Sequence, residues 1–360
     1  MNSNKKVFIA TGGTGGHIFP AYSLAKYLIQ KKINVEIATD KRGLRFLKDY
    51  PEIRLRKIYS ATIFKKNLIK SIFSLFVISY SILNSLIYFI FNRPNLVFGM
   101  GGYFSFPICL AAKLLKIKVI IYENNLVLGK ANKYLLPFVD KIFIAYKETN
   151  GIQKKYNFKI FKSGNIIREE ILNYTHQNNI ITNNNSLLKI LILGGSQAAK
   201  SFGEKIPNEL IRCKKDNISI SVFQQCLTDQ NNQIEELYKK NNISYELFNF
   251  KKNIIDYFKK VDLVITRSGS SILAELLNCK IPIISIPLPN SADNHQHENA
   301  KYFLSNGYSF LINESDLENK LFELIKSIYK DKSILEAIVK NQKKYNDKNV
   351  FDKIFKELGF

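Results

Sequence analysis

The strongest constraint on the fold is an opening that occurs twice. An apolar run at 7–10 feeds Thr11-Gly12-Gly13-Thr14-Gly15-Gly16, and another at 190–193 feeds Gly194-Gly195-Ser196-Gln197. The two glycine pairs lie 182 residues apart. In each a strand ends in glycines and a helical pattern follows, so backbone N–H groups and a helix N-terminus can face a phosphate. Neither turn is a Walker A loop, since no Lys-Ser or Lys-Thr follows, and neither completes G-x-G-x-x-G. Tight turns alone also use such glycines. Their pairing is what points to function.

Around these turns, short apolar runs bounded by Gly or Asn alternate with longer helical patterns. Strands are expected at 7–10, 35–38, 96–99, 119–122 and 141–145, then at 188–193, 218–223, 245–248, 263–266 and 283–286. That alternation makes βαβ units and parallel sheets covered on both faces. With 360 residues, too many for one ordinary core, the expected class is α/β: two Rossmann-like parallel-sheet domains facing a central cleft. The boundary is expected within 166–185, where two asparagine runs interrupt the periodicity.

Composition narrows the function classes. Hydrophobic residues at 46% and charged residues at 23% exclude a disordered chain. Cys109, Cys213, Cys226 and Cys279 form no CxxC pair, which argues against a disulfide framework or a zinc cluster and for a reducing cytosol. The polar N-terminus runs straight into a strand, so no signal peptide is expected. The net charge of +23 favours an anionic partner: nucleic acid, anionic lipid or a phosphorylated substrate. A nucleotide bias in the coding genome, which also yields Lys- and Asn-rich surfaces, is the alternative source of that charge. No aromatic-interleaved basic repeat or recognition module appears, so nucleic acid is not expected.

The charge is uneven. Residues 40–70 hold ten basic side chains against three acidic ones and lead into Ser71–Phe91, which carries no formal charge. Its length would allow a membrane span. Against that stand a serine and asparagine stripe at near-helical spacing, a strand-like segment after Arg93-Pro94, and its place inside the strand–helix alternation. Two readings stay open. The helix is largely buried in an α/β layer, or one apolar face with Phe73 and Phe76 lies on a bilayer beside Lys65, Lys66 and Lys70.

Three further segments carry chemistry. Arg267-Ser268-Gly269-Ser270-Ser271 follows a strand and opens a helix, so Ser268, Ser270 and Ser271 can donate to phosphate oxygens. Glu275, slightly farther on, can complement the helix dipole or accept both hydroxyls of a ribose. Residues 290–299 form a dense polar cluster suited to sugar hydroxyls. His295 and His297 point apart at i,i+2, and no D-x-D clamp occurs, so neither a metal nor a cofactor is expected. His17 begins the helix after the first glycine turn, as a cap or packing residue, or as a base at the mouth of the cleft.

Taken together, TGGTGGHIFP at 11–20, GMGGY at 99–103, GGSQ at 194–197, RSGSSILAE at 267–275 and the segment 293–300 resemble the MurG family of bacterial glycosyltransferases. The matches are collinear across most of the chain. The resemblance implies a GT-B fold: an acceptor-lipid and membrane-facing domain over 1–166, a UDP-sugar domain over 167–344, and a C-terminal helix near 345–360 packing back on the first. It implies transfer of N-acetylglucosamine from UDP-N-acetylglucosamine to undecaprenyl-diphospho-muramoyl-pentapeptide, on the cytoplasmic face of the bacterial inner membrane. That step serves peptidoglycan synthesis, cell shape and division. Carried over by motif, Thr14, Gly15 and Gly16 face the phosphates, and Asn125, Arg168, Ser196, Glu275 and Gln296 contact the donor. Ser270, Ser271, Ile272, Leu273 and Ala274 surround its diphosphate and ribose, Lys251 offers a main-chain group to the uracil, and His17 is the candidate base. The membrane patch falls on the helix containing Phe73 and Phe76, which favours the bilayer reading.

The sequence departs from the family in places. His-Glu-Gln-Asn is Tyr122-Glu123-Asn124-Asn125, Asn-Pro-Val-Arg is Asn165-Ile166-Ile167-Arg168, a paired Gln-Gln is His295-Gln296, and Gln-Ser/Thr-Gly is Gln225-Cys226-Leu227. A diacylglycerol glycosyltransferase of the same fold, and a nucleotide-sugar binder without turnover, are the alternatives. His17, Glu275 and Gln296 argue against the second.

Overall fold

The computed structural model describes residues 5–13, 15–48, 52–59, 68–174, 187–195, 199–249, 251 and 253–360. They form two compact units, Met1–Arg168 with Asp347–Phe360, and Glu169–Asn346.

Unit one runs β1 (Lys6–Ala10), α1 (Gly15–Gln30), β2 (Asn34–Thr39), α2 (Lys41–Leu47), β3 (Arg54–Lys57), α3 (Leu68–Phe91), β4 (Leu96–Gly99), α4 (Gly102–Leu114), β5 (Lys118–Glu123), α5 (Lys130–Leu135), β6 (Lys141–Ile144) and β7 (Ile160–Lys162). All strands are parallel, in the order β3-β2-β1-β4-β5-β6-β7. Central strands β1 and β4 are apolar and buried almost throughout, as a sheet covered on both faces requires. The C-terminal helix Val350–Leu358 belongs to this unit. It is held through the Tyr27 ring stacked on Phe351 at 5.1 Å, the Tyr27 hydroxyl donating to Asp352, and a Lys141–Glu357 ion pair.

Unit two runs α6 (Glu169–Leu172), β8 (Leu188–Leu193), α7 (Lys200–Lys215), β9 (Ile220–Gln225), α8 (Asn231–Lys240), β10 (Ser244–Phe248), α9 (Ile255–Phe258), β11 (Leu263–Arg267), α10 (Ser270–Cys279), β12 (Ile283–Ile286), α11 (His295–Ser305), β13 (Phe310–Leu311), α12 (Leu317–Lys330) and α13 (Ser333–Gln342). Its parallel sheet has the order β10-β9-β8-β11-β12-β13. All ten strands expected from the sequence are present; β3, β7 and β13 are additional, and each is a short edge strand.

In each sheet the strand order reverses once, between β1 and β4 in unit one and between β8 and β11 in unit two. Ligands of doubly wound sheets bind outside the C-terminal ends of the two strands flanking such a reversal. Register puts those ends level: Ala10 pairs with Gly99, and Leu193 with Thr266.

Helix α3 corrects the expectation of a largely buried element. It is long and apolar enough to cross a membrane by length and composition alone, yet one face packs on α4 and, through Phe89 against Phe8, on β1. That packed face is the serine stripe: Ser74, Ser81, Ser85 and Phe89 are buried, Ser85 donates to the Ser81 carbonyl at 2.7 Å, and Ser81 donates to the Tyr59 carbonyl. Small hydroxyl residues allow close approach and bond backbone carbonyls within reach. Near its C-terminal end, Tyr88 donates to Glu36 on β2, and the Arg56 guanidinium stacks 3.7 Å over the Tyr88 ring. The outer face is apolar and exposed, with Phe73 at 66% and Phe76 at 71% exposure among Ile69, Ile72, Leu75, Leu83, Ile87 and Ile90.

Candidate active site

In unit one the site grows from the end of β1. The Thr11 hydroxyl donates to the His17 carbonyl at 3.0 Å, tying the turn to the first turn of α1. The Gly13 N–H donates to Asp40 Oδ1 at 3.2 Å, and the same oxygen caps α2 by accepting from the Gly43 N–H at 2.9 Å. Gly12 is sterically required, since a methyl there would meet the Phe104 side chain at 2.4 Å. Thr14 lies outside the described residues. Gly15 and Gly16 open α1 and bring its N-terminal N–H groups to the switch point.

The half-buried His17 imidazole lies against the turn after β4. A methyl on Gly101 would sit 3.4 Å from His17 Cε1 and equally close to the Tyr122 carbonyl, and one on Gly102 would sit 3.8 Å from Nε2. Both glycines have positive φ, +86° and +73°, so the GMGGY turn approaches the ring as other residues could not.

From β5, Glu123 organises the next loop. Its Oε1 accepts from the Asn125 N–H and Nδ2 at 3.0 and 2.9 Å; Oε2 accepts from the Gly129 N–H and Asn132 Nδ2, both at 2.9 Å. Asn124 Nδ2 donates across to the Gly16 carbonyl at 3.4 Å, joining this loop to α1. The Arg168 guanidinium lies 5.7 Å over the Phe19 ring of α1. Unit one thus brings Gly15, Gly16 and His17 together at the start of α1, with Arg168 over Phe19 in the next turn and Asn125 on the loop that Asn124 ties to Gly16. Glu123 had no role assigned from sequence; only its place between Tyr122 and Asn124 marked it.

In unit two, Gly194 and Gly195 follow β8, with Gly195 at φ +88°, while Ser196 lies outside the described residues. After β11, Gly269 leads into α10, whose first residues are Ser270 and Ser271. Ser268 is a correction: its hydroxyl is fully buried and bonds Ser285 on β12 at 3.0 Å, so it serves the core instead of a phosphate. Leu273 and Ala274 are also fully buried, so only their backbone can meet a ligand, while Ile272 is half-buried. Glu275 sits in the second turn of α10 at 6% exposure.

Arg267 braces this region. Its buried guanidinium bonds Ser201 at 2.9 Å, pairs with Glu314, donates to the Pro287 carbonyl at 3.3 Å and stacks 4.5 Å over Phe202. One side chain therefore ties the ends of β11 and β12 to the start of α7. The polar cluster before α11 turns through two left-handed residues, Asp293 and Asn294, a conformation that Asp and Asn tolerate better than most. Asn299 Nδ2 donates to the Ser268 carbonyl at 3.1 Å, fixing α11 to the turn before α10. Gln296, one turn earlier, accepts from the Leu288 N–H through Oε1 at 3.0 Å, so its amide NH2 is the end that can donate. Lys251 is exposed, with Nζ 5.9 Å from the Tyr257 ring centre. Among the described residues, no three His, Cys, Asp or Glu side chains form a metal-ligating group.

The chain is similar to known proteins over nearly its whole length. Residues 7–144 match the glycosyltransferase family 28 N-terminal domain, and residues 189–354 match its C-terminal domain. A Pelagibacter ubique protein named UDP-N-acetylglucosamine--N-acetylmuramyl-(pentapeptide) pyrophosphoryl-undecaprenol N-acetylglucosamine transferase is 35% identical over 352 residues, 98% of this chain and 97% of its own. A Rickettsia felis protein of the same name is 33% identical, covering 94% of each chain. The crystal structure of Acinetobacter baumannii MurG superposes with a TM-score of 0.78 at 26% identity, over 98% of this chain and 99% of that one.

Proposed function

The chain belongs to the MurG family of glycosyltransferases, and on that premise we propose that it transfers N-acetylglucosamine from UDP-N-acetylglucosamine to undecaprenyl-diphospho-N-acetylmuramoyl-pentapeptide, converting lipid I to lipid II in peptidoglycan synthesis. One observation carries the mechanism: the four glycine-bearing turns fall in pairs at two switch points, one in each unit.

The muramoyl 4-hydroxyl attacks the anomeric carbon of the donor. The β1,4 bond forms as the bond to the UDP oxygen breaks, with inversion, and the hydroxyl proton passes to His17. In unit two, Ser270, Ser271 and the N-terminal N–H groups of α10 take up the charge that grows on the leaving diphosphate. Glu275 accepts the ribose hydroxyls, the Lys251 main chain meets the uracil, and Gln296 donates to the donor sugar. Thr14 and Ser196, outside the described residues, are assigned to the donor by family motif alone. In unit one, Gly15 and Gly16 hold phosphate at the start of α1, while Asn125 and Arg168 reach the donor. Stabilisation by helix N-termini and hydroxyls works without a metal. The test is transfer to a lipid I analogue with diacylglycerol offered in parallel; product is expected on the lipid I analogue alone.

The acceptor is a membrane lipid, and the outer face of α3 supplies the docking surface. Phe73 and Phe76 enter an anionic cytoplasmic leaflet, making the protein peripheral. Lys65 and Lys66, and the side chain of Lys70, lie outside the described residues; their charges are placed on the same leaflet from sequence order alone. Burying an aromatic side chain contributes about 1.5–3 kcal/mol. The double substitution Phe73→Ser/Phe76→Ser should therefore weaken co-flotation with phosphatidylglycerol vesicles about tenfold or more, while turnover of a water-soluble acceptor analogue is retained. Undiminished flotation would remove α3 from the membrane contact.

A further inference from the structure

The chain leaves unit one after Arg168 and re-enters it at Asp347, and both passages are fastened at one point. Asp347 Oδ1 accepts from the Asn165 N–H at 3.0 Å, and Oδ2 accepts from Asn165 Nδ2 at 3.4 Å. Gly164 holds φ +94°, and a methyl there would come within 2.6 Å of Asp347 Oδ1, so the carboxylate lies flush against the chain. From the other side, the buried Tyr122 hydroxyl donates to the Gly164 carbonyl at 3.3 Å and accepts from the Ile166 N–H at 3.0 Å. Burial holds that phenol protonated well above its ordinary range, so it keeps both roles. Ile166 and Ile167 are packed in the core, and the next residue is Arg168.

The arrangement suits this sequence. Where the family pattern has proline, Ile166 brings an N–H that proline lacks, and where the pattern has histidine, Tyr122 brings the hydroxyl that accepts from it. The two departures compensate each other.

We propose that Tyr122 and Asp347 are positioning residues for Arg168: they lock 164–167 so that the guanidinium stays over Phe19 of α1, in the orientation in which it contacts the donor. This rests on the reading of Arg168 as a donor contact. The test is a double-mutant cycle read by calorimetric UDP-N-acetylglucosamine binding, which needs no turnover. Tyr122→Phe leaves a buried N–H without its acceptor and should weaken Kd about fivefold to tenfold. In an Arg168→Ala background the same change should add nothing, because its effect passes through the guanidinium. Asp347→Asn, which keeps the side-chain shape, is run through the same cycle should Tyr122→Phe fold poorly. Equal weakening with and without Arg168, or no weakening at all, overturns the proposal. Absence of transfer by the wild type would instead strike the transferase reading, and the binding cycle would still report on the clamp.

Discussion

Alanine at His17 lowers kcat about 100-fold and leaves the KM for UDP-N-acetylglucosamine within about twofold. The expectation follows from placement. His17 is the third residue of α1, its carbonyl is tied to Thr11, and its ring rests on the two positive-φ glycines after β4. That setting fixes one orientation beside the helix N-terminus, as removal of a proton from an acceptor hydroxyl requires. Steady-state kinetics on a lipid I analogue check it. A loss confined to KM would make His17 a binding residue and leave the base to be sought elsewhere.

Alanine at Glu275 has the opposite signature. The carboxylate is nearly buried on the second turn of α10, whose neighbouring Leu273 and Ala274 are locked in the core, so it is held on a rigid platform. Each hydrogen bond from a ribose hydroxyl to a charged acceptor is worth about 1.5–3 kcal/mol. Losing two should raise the donor KM by about 100-fold or more, with a much smaller change in kcat. Glu275→Gln, which retains one carbonyl acceptor, should fall between. Should kcat collapse instead at unchanged KM, the ribose assignment fails.

Much of the fold was legible because buried parallel strands announce themselves. The run of β4 is apolar at every position and ends at glycine, and that of β12 is interrupted only by the buried Ser285 before Pro287; that pattern survives any packing detail. The missed strands show what the pattern cannot carry. β3 is Arg-Leu-Arg-Lys with its ends exposed, and β13 has two residues; edge strands are short and charged because a long apolar edge would pair with other chains. Helix α3 shows a second limit. Periodicity separated its serine stripe from its apolar stripe, yet which stripe faces the protein depends on α4, whose side chains lie in another part of the sequence.

The site divides the same way. Its glycine turns follow from local chemistry, since positive φ at Gly101 demands a residue without a side chain. Partners set by topology left no local trace. Ser268 reads as a phosphate donor until β12 brings Ser285 beside it. Asp347 meets Asn165 across 182 residues, and nothing near either one in sequence signals the meeting.

The most direct measurement is transfer of radiolabelled N-acetylglucosamine from its UDP donor, with a lipid I analogue and diacylglycerol as parallel acceptors and EDTA present throughout. Label on the lipid I analogue alone, undiminished by the chelator, is the result this mechanism requires. Label on diacylglycerol would keep the donor site but contradict the acceptor, and UDP bound without transfer to either would contradict the enzyme.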